Sequence, residues 1–198
     1  TSTRPTASAP TISRICAGLD ERVGAFRNRT LGHVAFPYVY LDATYINVRD
    51  DALGQVVSRA VVVATGITAD GGREVLGVDI GDSEDETFWT RFLRSVKDRG
   101  LGGVRLVISD AHAGLKASIR KCFTGASWQR CRVHYVRNLL ATVPRAHTEM
   151  VAAAFRSIFA LGTPAEVEAR WDDVTNTLAD RFPKAAESMR AARTDVLA

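Results

Sequence analysis

"VRLVISD", residues 104–110, is a nearly unbroken apolar run closed by an aspartate. A run of that kind is what a buried central strand looks like. Its surroundings decide which sheet it belongs to. Upstream, "PYVYLDATYINVR" (37–49) is rich in Tyr, Val and Ile with short alternation, which marks a strand. "AVVVATGIT" (60–68) and "EVLGVDIG" (74–81) read as two more strands. The link between them, "ADGGR" (69–73), carries Asp70-Gly71, a strong hairpin turn signal. These three sequential strands are therefore expected to form an antiparallel meander.

"SEDETFWTRFLRSVKDRG" (83–100) reads as a helix with both ends marked. Ser83 and Glu86 form a capping box, and Glu84 and Asp85 suit the positive N-terminal end. Phe88, Trp89, Phe92, Leu93 and Val96 make its apolar stripe, and Gly100 is its stop. After 104–110 come a helix over "AGLKASIRKCF" (113–123), a short strand in "SWQRC" (127–131) and a helix from "VHYVRNLLATV" (133–143) stopped near Pro144. Everything after Arg145 reads as helix, with Thr163 as a cap, Pro164 at the first helical position and Glu166 three after the cap. The order β-β-β-α-β-α-β-α plus a helical stretch predicts an α/β fold. It is the ribonuclease H-like plan, a mixed sheet with flanking helices, followed by a helical insertion. The expected division is 1–30 as an N-terminal helical segment, 31–145 as the core and 146–198 as the start of the insertion.

At the N-terminus, residues 1–10 are polar and Pro-rich and read as a loose end. Ile12, Ile15, Leu19, Val23 and Phe26 then recur at steps of three and four, an amphipathic helix. With Arg14, Arg22, Arg27 and Arg29 it reads either as the end of a DNA-binding region or as an ordinary packing helix, and the pattern alone favours packing.

The chain has 198 residues, 46% hydrophobic and 24% charged, which suits one globular domain or one domain and part of another. No apolar run approaches the ~20 residues of a membrane span, and no export signal pattern opens the chain. Cys16, Cys122 and Cys131 are few, odd in number and widely spaced, which argues against a disulfide framework and for a reducing, cytoplasmic setting. Net charge is +4, but its distribution says more. From Ala111 to Thr148 there is no Asp or Glu, while Lys116, Arg120, Lys121, Arg130, Arg132, Arg137 and Arg145 fall there. Such a stretch fits either a polyanion partner or a solvated surface.

Asp42 lies inside the first strand, on the face of Tyr40 and Thr44, and Asp110 ends the central strand. In the predicted sheet these strands are neighbours. Two carboxylates aimed at one spot repel unless a cation lies between them. Mg²⁺ accepts that arrangement, with waters or phosphate oxygens completing its shell. Two such ions ~4 Å apart suit phosphodiester chemistry. The alternatives are local: a helix cap for Asp110 and a sheet-end residue for Asp42. His112, two after Asp110, reads as a phosphate contact or as a cap.

"YVYLDATYINVR" (38–49), "GVDIGDSEDETFWTRFLRSVKDRGLGGVRLVISDAHAGLKASI" (77–119) and "WQRCRVHYVRNLL" (128–140) together resemble the Mutator-like transposases of bacterial insertion sequences. The likeness runs from about Asp20 to Leu140. It implies a DDE transposase core that uses Mg²⁺ or Mn²⁺ to cut DNA ends and join them to a target. It also implies double-stranded DNA as partner, a homo-oligomer when full length and a place near the bacterial nucleoid. Residue by residue, Asp42 matches the first catalytic aspartate, Asp110 the second, and Cys131 with His134 the family's Cys-x-x-His signature. A structural zinc site usually takes four ligands. Only Cys16, Cys122 and His147 remain to complete one, at no recognisable spacing, so none is expected. A Cys–His nucleophile pair would need an orienting third group. The pair is expected near the carboxylates, positioning a DNA strand or bracing the site. The third acid of a DDE site follows a helical insertion in the family and is expected beyond residue 198, which would leave this chain alone inactive. Within the chain the candidates are Glu149, Glu166, Glu168 and Glu187, with Glu149 first among them. Two further readings stand beside the transposase: a hydrolysing ribonuclease H-like nuclease, and a non-catalytic DNA-binding or regulatory remnant.

Overall fold

The computed structural model describes residues 8–50 and 54–198. Its elements run α1 (Ala9–Asn28), β1 (Tyr38–Asp50), β2 (Gln55–Ile67), β3 (Arg73–Gly81), α2 (Glu86–Asp98), β4 (Leu106–Ser109), α3 (Ala113–Cys122), β5 (Ser127–Arg130) and α4 (Arg132–Ala141). A 3₁₀ turn (Arg145–His147) leads to α5 (Thr148–Ile158), α6 (Pro164–Ala179) and α7 (Pro183–Leu197). The five strands form one mixed sheet in the order β3-β2-β1-β4-β5. β1, β2 and β3 pair antiparallel, while β4 pairs parallel with both β1 and β5. This is the ribonuclease H-like arrangement.

Local chemistry explains the turns and ends. The β2–β3 hairpin closes through Asp70-Gly71, with Gly71 at φ 89, a region only glycine enters without strain. Asp70 accepts from the Thr68 hydroxyl, and that contact, with the Gly72 amide, holds its carboxyl below the usual range. Gly100, at φ 99, lets the chain leave α2 and pass within reach of Gly32. The helix cap of α2 differs from the sequence expectation. Asp85, not Ser83, is the N-cap: its carboxylate accepts from the Phe88 amide at 2.8 Å. The Ser83 hydroxyl donates to Asp85 at 2.9 Å instead. The carboxylate reaches the N3 amide and is itself fixed by the serine. The capping box of α6, Thr163 with Glu166, is present as expected.

One face of the sheet packs on α2 and α3 around Val39, Leu41, Val62, Leu76, Trp89, Leu93, Val107 and Ile119. α3 lies close on α2: a Cβ at Gly114 would fall 2.9 Å from the Glu86 nitrogen. The Ser118 hydroxyl there bonds Glu86 O at 2.9 Å. A second cluster is wholly helical. Tyr135, Leu139 and Val143 of α4 and its end join Phe155, Trp171, Leu178 and Met189. This cluster therefore includes residues of α4.

Two expectations at the N-terminus change. The helix already begins at Ala9, while residues 1–7 of the expected loose end lie outside the described residues. Most of the α1 stripe does not pack: Ile15, Leu19 and Val23 are 56%, 51% and 54% exposed, and Phe26 is half-buried. Ile12 lies outside the described side chains. What fixes α1 is its C-terminal end, through Arg27 on Asp79 at 2.6 Å and Arg29 on Val75 O at 2.6 Å and on Glu74. Periodicity gave the helix but not a partner for its face. Among the described residues no helix is long and apolar enough to cross a membrane.

Candidate functional site

β1 and β4 pair in parallel as far as Tyr40 and Ile108. Asp42 and Asp110 each lie two residues beyond that pair, so they sit level on neighbouring strands. Both line one cleft of about 250 Å³, together with Leu41, Ala43, Glu84, Trp89, His112, Leu115, His134 and Arg137. The two carboxylates remain 56% and 48% exposed.

Each is held from behind. Asp42 Oδ1 accepts its neighbour's amide, Ala43 N, at 3.0 Å, and Asp110 Oδ1 accepts Ala111 N at 2.7 Å. Asp110 therefore does not cap α3. That position belongs to His112, whose side chain makes no capping bond. The Ser109 hydroxyl, fully buried, donates to Asp110 O and accepts from Trp128 Nε1, both at 2.9 Å. Lys116 Nζ lies 3.9 Å from the centre of the Trp128 ring and 3.1 Å from Asp195 on α7. The end of β4 is thus braced through Ser109, Trp128 and Lys116.

Basic groups face the carboxylates at looser range. His134 Nε2 is 3.4 Å from Asp42, and Arg130 Nε is 3.8 Å from Asp110. His134 Nδ1 and Arg130 Nε are buried without a hydrogen-bond partner among the described residues. The Arg130 Nε–H thus points near Asp110 without a bond, while the imidazole meets Asp42 through Nε2 and leaves Nδ1 unpartnered. The donor set, two hard oxygen ligands open to solvent on one side, fits a divalent cation whose shell is completed by water or phosphate oxygens. Among the described residues no group of three His, Cys, Asp or Glu converges to hold a metal by itself.

The Cys-x-x-His motif is divided by the turn it sits on. Cys131 is the N-cap of α4, its amide bonded to Ser109 O at 2.7 Å. Its side chain lines a separate cleft with Tyr38, Tyr40 and Ile108, whereas His134 lines the carboxylate cleft. The motif therefore joins the end of β5 to β4 and delivers the imidazole to Asp42.

The remaining sequence candidates scatter. Glu149 is exposed in the first turn of α5 and does not line the cleft. Glu166 and Glu168 are engaged within the helical unit, by the Thr163 cap and by Arg193. Of the basic residues, only Arg137 lines the cleft. Arg120 and Lys121 are exposed at the end of α3. Lys116 is tied as described, Arg130 lies over the Tyr135 ring at 5.0 Å and Arg132 over Phe159 at 3.9 Å. Burial pushes the Arg132 pKa down. Two cleft residues escaped the sequence reading. Glu84 looked like a helix-dipole acid, and Trp89, 0% exposed with its Nε1 unpartnered, looked like one more stripe residue.

A ribonuclease H-like sheet, with Asp42 on its middle strand and Asp110 just past the neighbouring strand, defines the class. The family model described as "Transposase, Mutator family" matches residues 4–198, and the chain belongs to that family. It is 41% identical over 187 residues to the transposase for insertion sequence element IS1081 of Mycobacterium tuberculosis, covering 94% of this chain and 45% of that protein. It is 43% identical over 148 residues to the transposase for IS256 in transposon Tn4001 of Staphylococcus aureus, covering 75% of this chain and 37% of that protein. The chain thus spans less than half the length of these relatives. Among solved structures, the Drosophila P element transposase strand transfer complex matches at TM-score 0.42 and 10% identity, over 96% of this chain and 57% of that one.

Proposed function

We propose that this chain is the catalytic core of an insertion-sequence transposase that cuts double-stranded DNA at element ends and joins it to a target. The observation that carries the reading is the pair of half-exposed aspartates, level on β1 and β4, lining one cleft. In this reading Asp42 and Asp110 hold Mg²⁺ or Mn²⁺. Such a cation, when bound, neutralises charge on the phosphate and activates the attacking oxygen. The protein's own part is positioning. Ser109 and Trp128 fix the end of β4, and His134 holds the Asp42 carboxylate in place. Arg137 and His112 meet the phosphates at the mouth, and Arg120 and Lys121 extend the basic surface. Lys116, Arg130 and Arg132 brace the fold.

The residues from 146 onward are proposed as the start of a helical insertion, and the full-length protein as a homo-oligomer. The place of Glu149, outside the cleft, supports a third acid from the part of the relatives' length that this chain does not cover. Strand cleavage and strand transfer on terminal-repeat DNA, with Mg²⁺ or Mn²⁺, test the proposal. In a full-length protein, Asp42→Asn and Asp110→Asn are expected to abolish both steps while DNA binding persists, and Glu149→Gln to leave them unchanged. Cleavage lost on Glu149→Gln alone would make Glu149 the third acid. Cleavage that survives both aspartate changes would overturn the reading.

A further inference from the structure

Residues 82–85 link β3 to α2, and the fold engages three of their side chains. Asp82 pairs with Arg59, the Ser83 hydroxyl donates to Asp85, and Asp85 accepts from the Phe88 amide. Glu84 is the exception, with no hydrogen bond or ion pair among the described residues. Yet Glu84 is half-buried, while Asp82, Asp85 and Glu86 are exposed. It lines the cleft of Asp42 and Asp110, and none of the basic residues there, His112, His134 and Arg137, pairs with it among the described residues.

A role at the positive end of α2 does not account for this residue. That effect falls off outside the first turn, where Glu86 stands and which Asp85 caps. A half-buried carboxylate without a partner is unfavourable, and two more carboxylates in a cleft of about 250 Å³ add repulsion. A second group in the cleft is also unmet. Trp89 lines it, is 0% exposed, and its Nε1 has no acceptor among the described residues. An indole N–H only donates and a carboxylate only accepts. Ordered water meets both needs, because it accepts from the one and donates to the other.

We infer that Glu84 is a positioning residue of the cation site, holding the water shell of a divalent cation on Asp42 and Asp110, with the Trp89 indole as a donor to that water. The inference rests on the proposed function. Mg²⁺ keeps several waters when one or two carboxylates bind it, so its shell needs acceptors beyond its direct ligands. Glu84 supplies one through water rather than by contact, since no three His, Cys, Asp or Glu among the described residues converge on one point. Groups around the ligands tune metal affinity nearly as strongly as the ligands do. The residue thus belongs to the site although it lies on neither β1 nor β4.

The test titrates Mn²⁺ into the whole chain and reads binding by electron paramagnetic resonance. Glu84→Gln should bind about tenfold more weakly than the parent, with no loss of stability in urea. Glu86→Gln removes the same charge from the first turn of α2, outside the cleft, and should bind as the parent does. The number of waters on the bound Mn²⁺, read by electron spin echo modulation in D₂O, should be the same in the parent and in Glu84→Gln. Parent-like affinity in Glu84→Gln, or an equal loss in Glu86→Gln, would overturn the inference and leave the transposase reading standing. So would an added water on Mn²⁺ in Glu84→Gln, the mark of a lost direct ligand. If Asp42→Asn binds Mn²⁺ as tightly as the parent, both fall.

Discussion

The sheet unit and the helical unit use their acids differently. In the helical unit most carboxylates have a close partner. Asp172 and Glu168 hold Arg193 at 2.9 and 3.1 Å, Asp195 holds Lys116 at 3.1 Å and Glu166 closes the α6 cap. At the end of the sheet, Asp42 and Asp110 face their nearest basic side chains, His134 and Arg130, at 3.4 and 3.8 Å. The helical unit is built on aromatic packing of Tyr135, Phe155 and Trp171, with rings 5.7 to 5.9 Å apart. Its acids only trim the surface, where an ion pair contributes about 0–1 kcal/mol. The sheet places two acids level and leaves them to repel, which is unfavourable without a ligand. The two sets are equally exposed, Glu168 and Asp172 at 54% and 56%, and differ in the distance to their basic partners.

The largest test of that comparison strikes the helical core. Trp171 is 0% exposed, and Trp171→Ala should cost about 3–5 kcal/mol in urea unfolding. If the two units are as distinct as their cores suggest, cation binding at the sheet should survive wherever the variant is still folded. A smaller effect is expected at the α6 cap. Thr163→Ala removes the acceptor of the Glu166 amide and should cost about 1 kcal/mol. The smallest concerns pH. Asp85 accepts from the Phe88 amide and from Ser83, which hold its carboxyl below the usual carboxylate range. A depressed carboxyl stabilises the fold above the unfolded pKa, and that contribution fades as pH falls through the lower folded value. Stability of Asp85→Asn should therefore fall less steeply than that of the parent below about pH 4. Parallel curves would remove Asp85 from the cap.

Much of this was readable from local sequence. Asp70-Gly71, the run at 104–110 and the Thr163 cap each depend on a few adjacent residues, and each formed as expected. The candidate pair followed from strand order alone. What escaped was set at long range or by competition between neighbours. Asp85 displaced Ser83 because it stands nearer the first turn of α2. The Ile15, Leu19 and Val23 stripe had the right period, but period does not say what covers it. Lys116 looked like a free cation in an acid-free stretch, and its partner Asp195 is 79 positions away. Glu84 and Trp89 reach the cleft only because α2 packs on the sheet. The separation of Cys131 from His134 depends on where β5 ends and α4 begins, which spacing could not give.

The central claim is that Asp42 and Asp110 form one cation site. Mn²⁺ titration followed by electron paramagnetic resonance tests it on the parent, Asp42→Asn and Asp110→Asn, with circular dichroism to confirm that all three are folded. The account predicts saturable binding in the parent and at least about tenfold weaker binding in each variant. Equal Mn²⁺ affinity in all three folded proteins would contradict it.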